Sequence, residues 1–267
     1  MKKLFISADI EGTCGITAWE ETDAAGRNYD YFCRRMTAEV SAAAEGAEKA
    51  GYISTIKDAH DSARNIDPMG LPRSATLIRG WSRDCYCMMG GLDQDEFGAV
   101  AFTGYHSEAV NSGNPLSHTM TRGVQRVTLN GTPCSEFLIN AYMAAYSGVP
   151  IVFLSGDEAL CRFAKALIPG ITTVVAKSGL GSAVVSRHPE AVREEIFAGM
   201  KQALSKEDLS DCLLSLPPHF ELTVEYKDWN TAHSYSFFPG AVSVDAKTVK
   251  FESDDYFEVM RFMHFCL

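Results

Sequence analysis

Met1-Lys2-Lys3-Leu4-Phe5-Ile6-Ser7-Ala8-Asp9-Ile10-Glu11-Gly12 opens the chain. Leu4 to Ala8 is an apolar run of strand length, and it stops abruptly in two acids and a glycine. An uninterrupted apolar run of this kind suits a strand buried on both faces, as in parallel sheets. The next segment changes period. From residue 29 to 50, Phe32, Met36, Val40, Ala43 and Ala47 fall on one helical stripe, and Gly51 suits the position just past a helix C-terminus. Tyr52 to Lys57 then reads as a second strand, so the opening is a β-α-β unit.

The alternation continues. Ala99 to Thr103 reads as a strand, Ser135 to Ala145 as a helix, and Pro150 to Leu154 as a strand. A short helix over 158–167, a strand from Thr172 to Ala176 and a helix from Pro189 to Leu204 follow, the last with proline in its first turn. This order predicts an α/β fold with a mostly parallel sheet flanked by helices. After Pro217-Pro218 the pattern changes. Glu221 to Tyr226 and Val242 to Phe251 alternate like antiparallel strands, and a last helix runs from about Asp254. The expected organisation is an α/β part over 1–150 and a smaller C-terminal α+β part over 151–267, the two able to pack as one unit.

In open α/β sheets, ligands bind outside the carboxyl ends of the strands. Three predicted strands end in chemistry there: Asp9-Ile10-Glu11, Asp58-Ala59-His60 and Gly104-Tyr105-His106. A lone acid at a strand end is commonly a helix cap, and a lone histidine is commonly a satisfied core residue. Three strands delivering such groups to one edge fit a mixed nitrogen and oxygen metal site, best suited to zinc. Gly12 and Gly15 let the backbone turn after the acids. Glu136, in the first turn of a helix, is the best third carboxylate, although the helix dipole alone would favour an acid there. Three carboxylates can hold two divalent ions if one carboxylate bridges them. His118, on the loop Pro115 to Met120, is placed near the metals without binding them, as a proton shuttle or oxyanion donor. Histidines 188, 219, 233 and 264 read as structural or exposed.

Composition limits the function classes. The formal charge is −10 with no basic stripe, which argues against nucleic acid. The opening apolar run is too short for a signal peptide, no stretch approaches a membrane span, and a cytoplasmic protein is expected. The eight cysteines then read as free thiols, and Cys85-Tyr86-Cys87 lacks a second pair to complete a thiolate zinc site.

Taken in order, these motifs resemble the DppA-type zinc D-aminopeptidases. They are Asp9-Ile10-Glu11-Gly12-Thr13-Cys14-Gly15, Asp58-Ala59-His60, Gly104-Tyr105-His106, Ser117-His118-Thr119-Met120, Glu136 with Asn140-Ala141-Tyr142, and Gly156-Asp157. The likeness is strong over roughly the first 160 residues. It implies two zinc ions per subunit, with Asp9 bridging, His60 and Glu136 completing one site, and Glu11 and His106 the other. It implies His118 as the catalytic residue, short peptides with N-terminal D-residues as substrates, and a homo-oligomeric ring, a decamer.

Two other readings use fewer of these residues. Asp9-Ile10-Glu11-Gly12-Thr13 and Ser155-Gly156-Asp157-Glu158 resemble the loops of a haloacid-dehalogenase-like magnesium phosphatase, with Asp9 as nucleophile. That reading leaves His60, His106, His118 and Glu136 without roles. Gly179-Leu180-Gly181-Ser182 suggests a nucleotide-binding module, but it lacks the third glycine of that fingerprint and reads better as a turn.

Overall fold

The computed structural model describes residues 1–267. Its strands and helices run β1 (Lys2–Ala8), α1 (Tyr29–Lys49), β2 (Tyr52–Asp58), β3 (Thr76–Ile78), β4 (Ala99–Tyr105), β5 (Val124–Leu129) and β6 (Thr132–Pro133). They continue α2 (Glu136–Tyr146), β7 (Ile151–Asp157), α3 (Glu158–Leu167), β8 (Thr172–Leu180), β9 (Ala183–Ser186) and α4 (Pro189–Leu204). Last come β10 (Phe220–Tyr226), α5 (Trp229–Tyr235), β11 (Val242–Ser243), β12 (Thr248–Ser253) and α6 (Tyr256–Cys266).

Seven strands form the main sheet in the order β3-β2-β1-β4-β7-β8-β9, parallel except for β9. The mostly parallel sheet is as expected, and its strands are buried on both faces for the anticipated reason. Leu4, Ile6 and Ala8 point into the apolar cluster beneath α1 and α4, while Phe5 points into the opposite cluster with Phe102, Phe137 and Leu154. The period of two thus feeds two cores from one strand.

The chain runs from β1 outward to β2 and β3, then returns to place β4 on the other side of β1. Right-handed crossovers put α1 and α2 on opposite faces when the direction reverses. The gap between the ends of β1 and β4 is therefore the topological switch point, where a ligand crevice is expected.

The second sheet, β11-β12-β10-β5-β6, is antiparallel. It draws β5 and β6 from before residue 150, while β7 to β9 from after it extend the main sheet. The boundary at 150 therefore cuts both sheets, and the two halves are interleaved. Helix α2 contacts β4 and α6, and α6 packs on β10 and β12. Phe238 lies against Phe251 and Phe262 in this layer, whereas its neighbour Phe237 is exposed.

β3, β5, β6, β9 and α5 lie outside the elements expected from the sequence. β5 carries Gln125 and Arg126 on an otherwise apolar pattern, so its alternation is weak. Within the stretch Gly179 to Ser182 read as a turn, Gly181-Ser182 forms the β8–β9 hairpin turn, with Gly181 at φ +60°. All eight cysteines are unpaired. No helix is long and apolar enough to cross a membrane.

Candidate active site

The edge at the switch point is built by close backbone approach. Past the end of β1, Asp9 N donates to Thr103 O at 2.9 Å and Gly12 N to Gly104 O at 2.7 Å. A Cβ on Gly12 would collide with the Tyr105 carbonyl, and one on Gly104 with the Asp9 carbonyl. Gly12 is thus required less for a turn than to let the Asp9–Glu11 loop lie against β4.

Asp9, Glu11, His60, His106 and Glu136 meet here, each buried. Asp9 sits in the middle. Its Oδ1 is 3.3 Å from His60 Nδ1, which lies 3.1 Å from Glu11 Oε2. Its Oδ2 is 3.5 Å from His106 Nε2, which lies 3.5 Å from Glu136 Oε2. The grouping is therefore Glu11 with His60 on one side of Asp9, and His106 with Glu136 on the other. This grouping differs from the pairing that the resemblance implied. The sheet order gives the reason: β2, which carries His60, flanks β1 on one side, and β4 and α2 lie on the other.

The imidazoles are oriented from behind. His60 Nε2 donates to Thr22 O at 3.1 Å and His106 Nδ1 to Ser107 O at 2.9 Å. A carbonyl can only accept, so each bond fixes a ring proton away from the cluster and turns the other nitrogen's lone pair inward. Asp9 Oδ2, Glu11 Oε2 and His106 Nε2 have no hydrogen-bond partner despite full burial. Lone pairs face lone pairs across 3.1–3.5 Å, and a cation or a proton must lie between them.

The charge balance points the same way. Burial, with the Glu11 charge beside it, pushes Asp9 up to about 8. Burial also opposes ionisation of Glu11, but His60, His106 and His118 together outweigh it and hold Glu11 well below the usual carboxylate range. Burial pulls His106 down, yet Glu136, Asp9 and Glu11 together outweigh it and lift the ring to about 10. Three carboxylates in one buried site thus demand positive charge. Donor atoms within 4.8 Å of one another form two groups, Asp9 with Glu11 and His60, and His106 with His118 and Glu136, and such mixed nitrogen and oxygen donors suit zinc.

His118 stands beside the second group. Its Nδ1 donates to Leu116 O at 2.9 Å, and its Nε2 lies 3.6 Å from Glu136 Oε1. Its ring stacks on His106 at 4.4 Å between centroids, with Trp19 edge-on at 5.1 Å. Burial and the His106 charge hold it below the ordinary histidine value. Like His60, it lines a cavity of about 330 Å³. Of the remaining histidines, His219 pairs with Asp254 at the surface and His188 caps α4.

Several supporting residues were not anticipated. Lys177, buried on β8, donates to Glu11 O at 2.5 Å and Ile16 O at 2.6 Å, tying down the loop that carries two acids. Burial holds its amine down at about 8. Asp58 accepts from Asn65 N, Asn65 Nδ2 and Ile66 N, and the same Asn65 amide donates to His60 O. Met120 N donates to Glu136 Oε1 at 2.7 Å. Only Asp58 carried a sequence signal, through its place at a strand end; a lysine within an apolar strand gives none.

A profile of the D-aminopeptidase peptidase family matches residues 1–265. The chain belongs to the D-aminopeptidase family. It is 30% identical over 264 residues to a D-aminopeptidase of Bacillus subtilis (strain 168), covering 98% of this chain and 95% of that one. It superposes with a TM-score of 0.91, at 29% identity, on the Zn-dependent D-aminopeptidase DppA from Bacillus subtilis, described as a self-compartmentalizing protease. That match covers 99% of this chain and 96% of the other. Membership of this family supports the aminopeptidase reading and not the phosphatase one. Asp157, the would-be magnesium ligand of that reading, instead accepts from Ser107 N, Ser107 Oγ and Leu160 N.

Proposed function

We propose that this protein is a two-zinc aminopeptidase acting on short peptides with N-terminal D-residues. In this reading Glu11 and His60 would hold one ion, His106 and Glu136 the other, and Asp9 would serve both. The observation that carries it is the set of buried, unpartnered atoms: Asp9 Oδ2, Glu11 Oε2 and His106 Nε2. Each is costly to bury without a counter-charge. Zinc bound there would supply Lewis acidity and lower the pKa of water.

The chain's own residues do the rest. The carbonyls of Thr22 and Ser107 keep the two ligand rings in the tautomer that presents a lone pair. The proton that His118 gives to Leu116 O leaves its Nε2 open to the cavity. His118 Nε2 can therefore take a proton from the attacking water and return it to the leaving amine. Attack by water on the scissile carbon breaks the C–N bond and releases the N-terminal residue as a free acid.

The likeness to a self-compartmentalizing protease supports a homo-oligomeric ring, and the resemblance to DppA-type enzymes makes a decamer the natural size. Exposed Phe237, Phe265 and Trp229 would then be covered by neighbouring subunits. Eight unpaired thiols support a reducing compartment, the cytoplasm. Elemental analysis of the gently purified protein tests the metal reading: close to two zinc ions per chain are expected, and uptake of magnesium alone would defeat it. Light scattering tests the ring, which a monomer at micromolar concentration would rule out.

A further inference from the structure

We propose that Arg122 is the specificity-determining residue that reads the C-terminal carboxylate of the substrate, making the enzyme selective for peptides of a few residues with a free C-terminus. The inference rests on the aminopeptidase reading and adds to it the far end of the substrate.

The cavity beside the cluster is lined by the acids Asp9, Glu11, Asp23, Asp61 and Glu136, and Arg122 is the one lysine or arginine on its wall. A cavity of about 330 Å³ is at the small end of the roughly 300–1,000 Å³ usual for ligand sites. With Asp9, Glu11 and Glu136 assigned to metal, Asp61 and Asp23 remain on the wall for an ammonium group and Arg122 for a carboxylate, which suits a zwitterionic ligand.

Arg122 is also held in a fixed relation to the reacting groups. Its guanidinium lies over the Trp19 ring at 4.8 Å, Trp19 meets His118 at 5.1 Å, and His118 stacks on His106 at 4.4 Å. The backbone is anchored as well: Lys227 Nζ donates to Arg122 O at 2.8 Å, and Lys227 N to Gly123 O at 2.9 Å. Three ring-to-ring steps of this size span no more than about four residues of extended chain. The nearest carboxylate to the guanidinium, Asp23 Oδ2, is 3.9 Å away, too far for a hydrogen bond. The planar fork is therefore available, and it matches a carboxylate in bidentate fashion.

The test compares a D-alanyl dipeptide with its C-terminal amide, using the full-length zinc-loaded protein and the variants Arg122→Gln and Arg122→Lys. The wild type should prefer the free acid by about tenfold in kcat/KM, the preference lying in KM and shrinking as salt is added. Arg122→Gln should bring the acid:amide ratio close to one, while Arg122→Lys keeps part of the preference. No discrimination by the wild type would overturn the proposal while leaving the aminopeptidase reading intact. Equal losses on acid and amide in Arg122→Gln would also overturn it, since Arg122 would then act only by packing on Trp19. Hydrolysis of neither compound would bring down both readings.

Discussion

Asp9 and Asp58 end neighbouring parallel strands, and Asp157 closes a third, yet these acids have opposite fates. Asp58 and Asp157 at the flanks each accept three hydrogen bonds from the protein. Asp9, at the centre of the edge, keeps Oδ2 without any partner. The flanking acids spend their lone pairs on backbone amides and nearby side chains, and so fix loops; the central one is surrounded by other lone-pair donors. A strand-end acid is structural when the protein saturates it and functional when the protein leaves it bare. The position of the reversal in strand order decides which occurs, because only there do two strand ends diverge.

This contrast can be broken most directly by removing the acids one at a time. Asp9→Ala should abolish metal binding and hydrolysis, beyond the roughly 10–100-fold losses of outer-shell changes. The metal-stripped variant should be no less stable than the stripped wild type, because a repelled carboxylate has gone. Elemental analysis, a peptide assay and urea melts check the three parts. Retention of two ions would show that Asp9 is not the bridge.

His118 sharpens the same contrast among the histidines. His118→Ala should keep both ions and lose about 10²–10⁴-fold in turnover, the range for a removed proton carrier or oxyanion donor. His106→Ala should lose metal together with activity. A zinc ion lost from His118→Ala would make it a ligand, in keeping with its place beside His106 and Glu136.

Asp58→Ala should show the reverse of Asp9→Ala. Three donors would lose a charged acceptor, and unfolding should become easier by about 3 kcal/mol, with the metal-loaded fraction still active. The urea midpoint reads this against an assay on the folded protein. Asp58→Ala as stable as the wild type would remove the distinction drawn here.

Glu39 is the intermediate case and gives the smallest effect. One of its oxygens accepts from Cys14 N at 3.0 Å, while Oε2 is buried without a partner. Burial pushes its carboxyl up to about 7. Between pH 4.5 and 7 the folded state therefore holds a proton that the unfolded chain has released, so its contribution to stability falls as pH rises through that window. Glu39→Gln should melt close to the wild type near pH 4.5 and progressively above it by pH 8. The gain is capped at about 3 kcal/mol by the size of the shift. A difference that stays flat with pH would mean that Cys14 N already satisfies the carboxylate.

Much of this was legible in the residues. The apolar run Leu4–Ala8 cannot remain in water, and the helical stripe through Phe32, Met36 and Val40 requires a face to cover, so local pattern dictates the β-α-β opening. Chemistry-bearing residues at strand ends follow from the same pattern, since residues i and their strand boundaries are sequence-local facts. The resemblance then named the five ligands and His118 as a set. The weakly alternating β5 was not legible, nor was the interleaving of the halves, because strand partners are chosen by long-range burial rather than by neighbours in the chain.

The sequence by itself determined that acids and histidines arrive at one edge of a parallel sheet. Only the tertiary structure decided which of them face one another: Glu11 with His60, His106 with Glu136, Asp9 between. It also decided that Asp58 and Asp157 are saturated and that Lys177 is buried against the Glu11 loop. Hydrogen-bond satisfaction and shared burial belong to groups brought together from distant positions. An isolated stretch of chain, with water on every side, has neither.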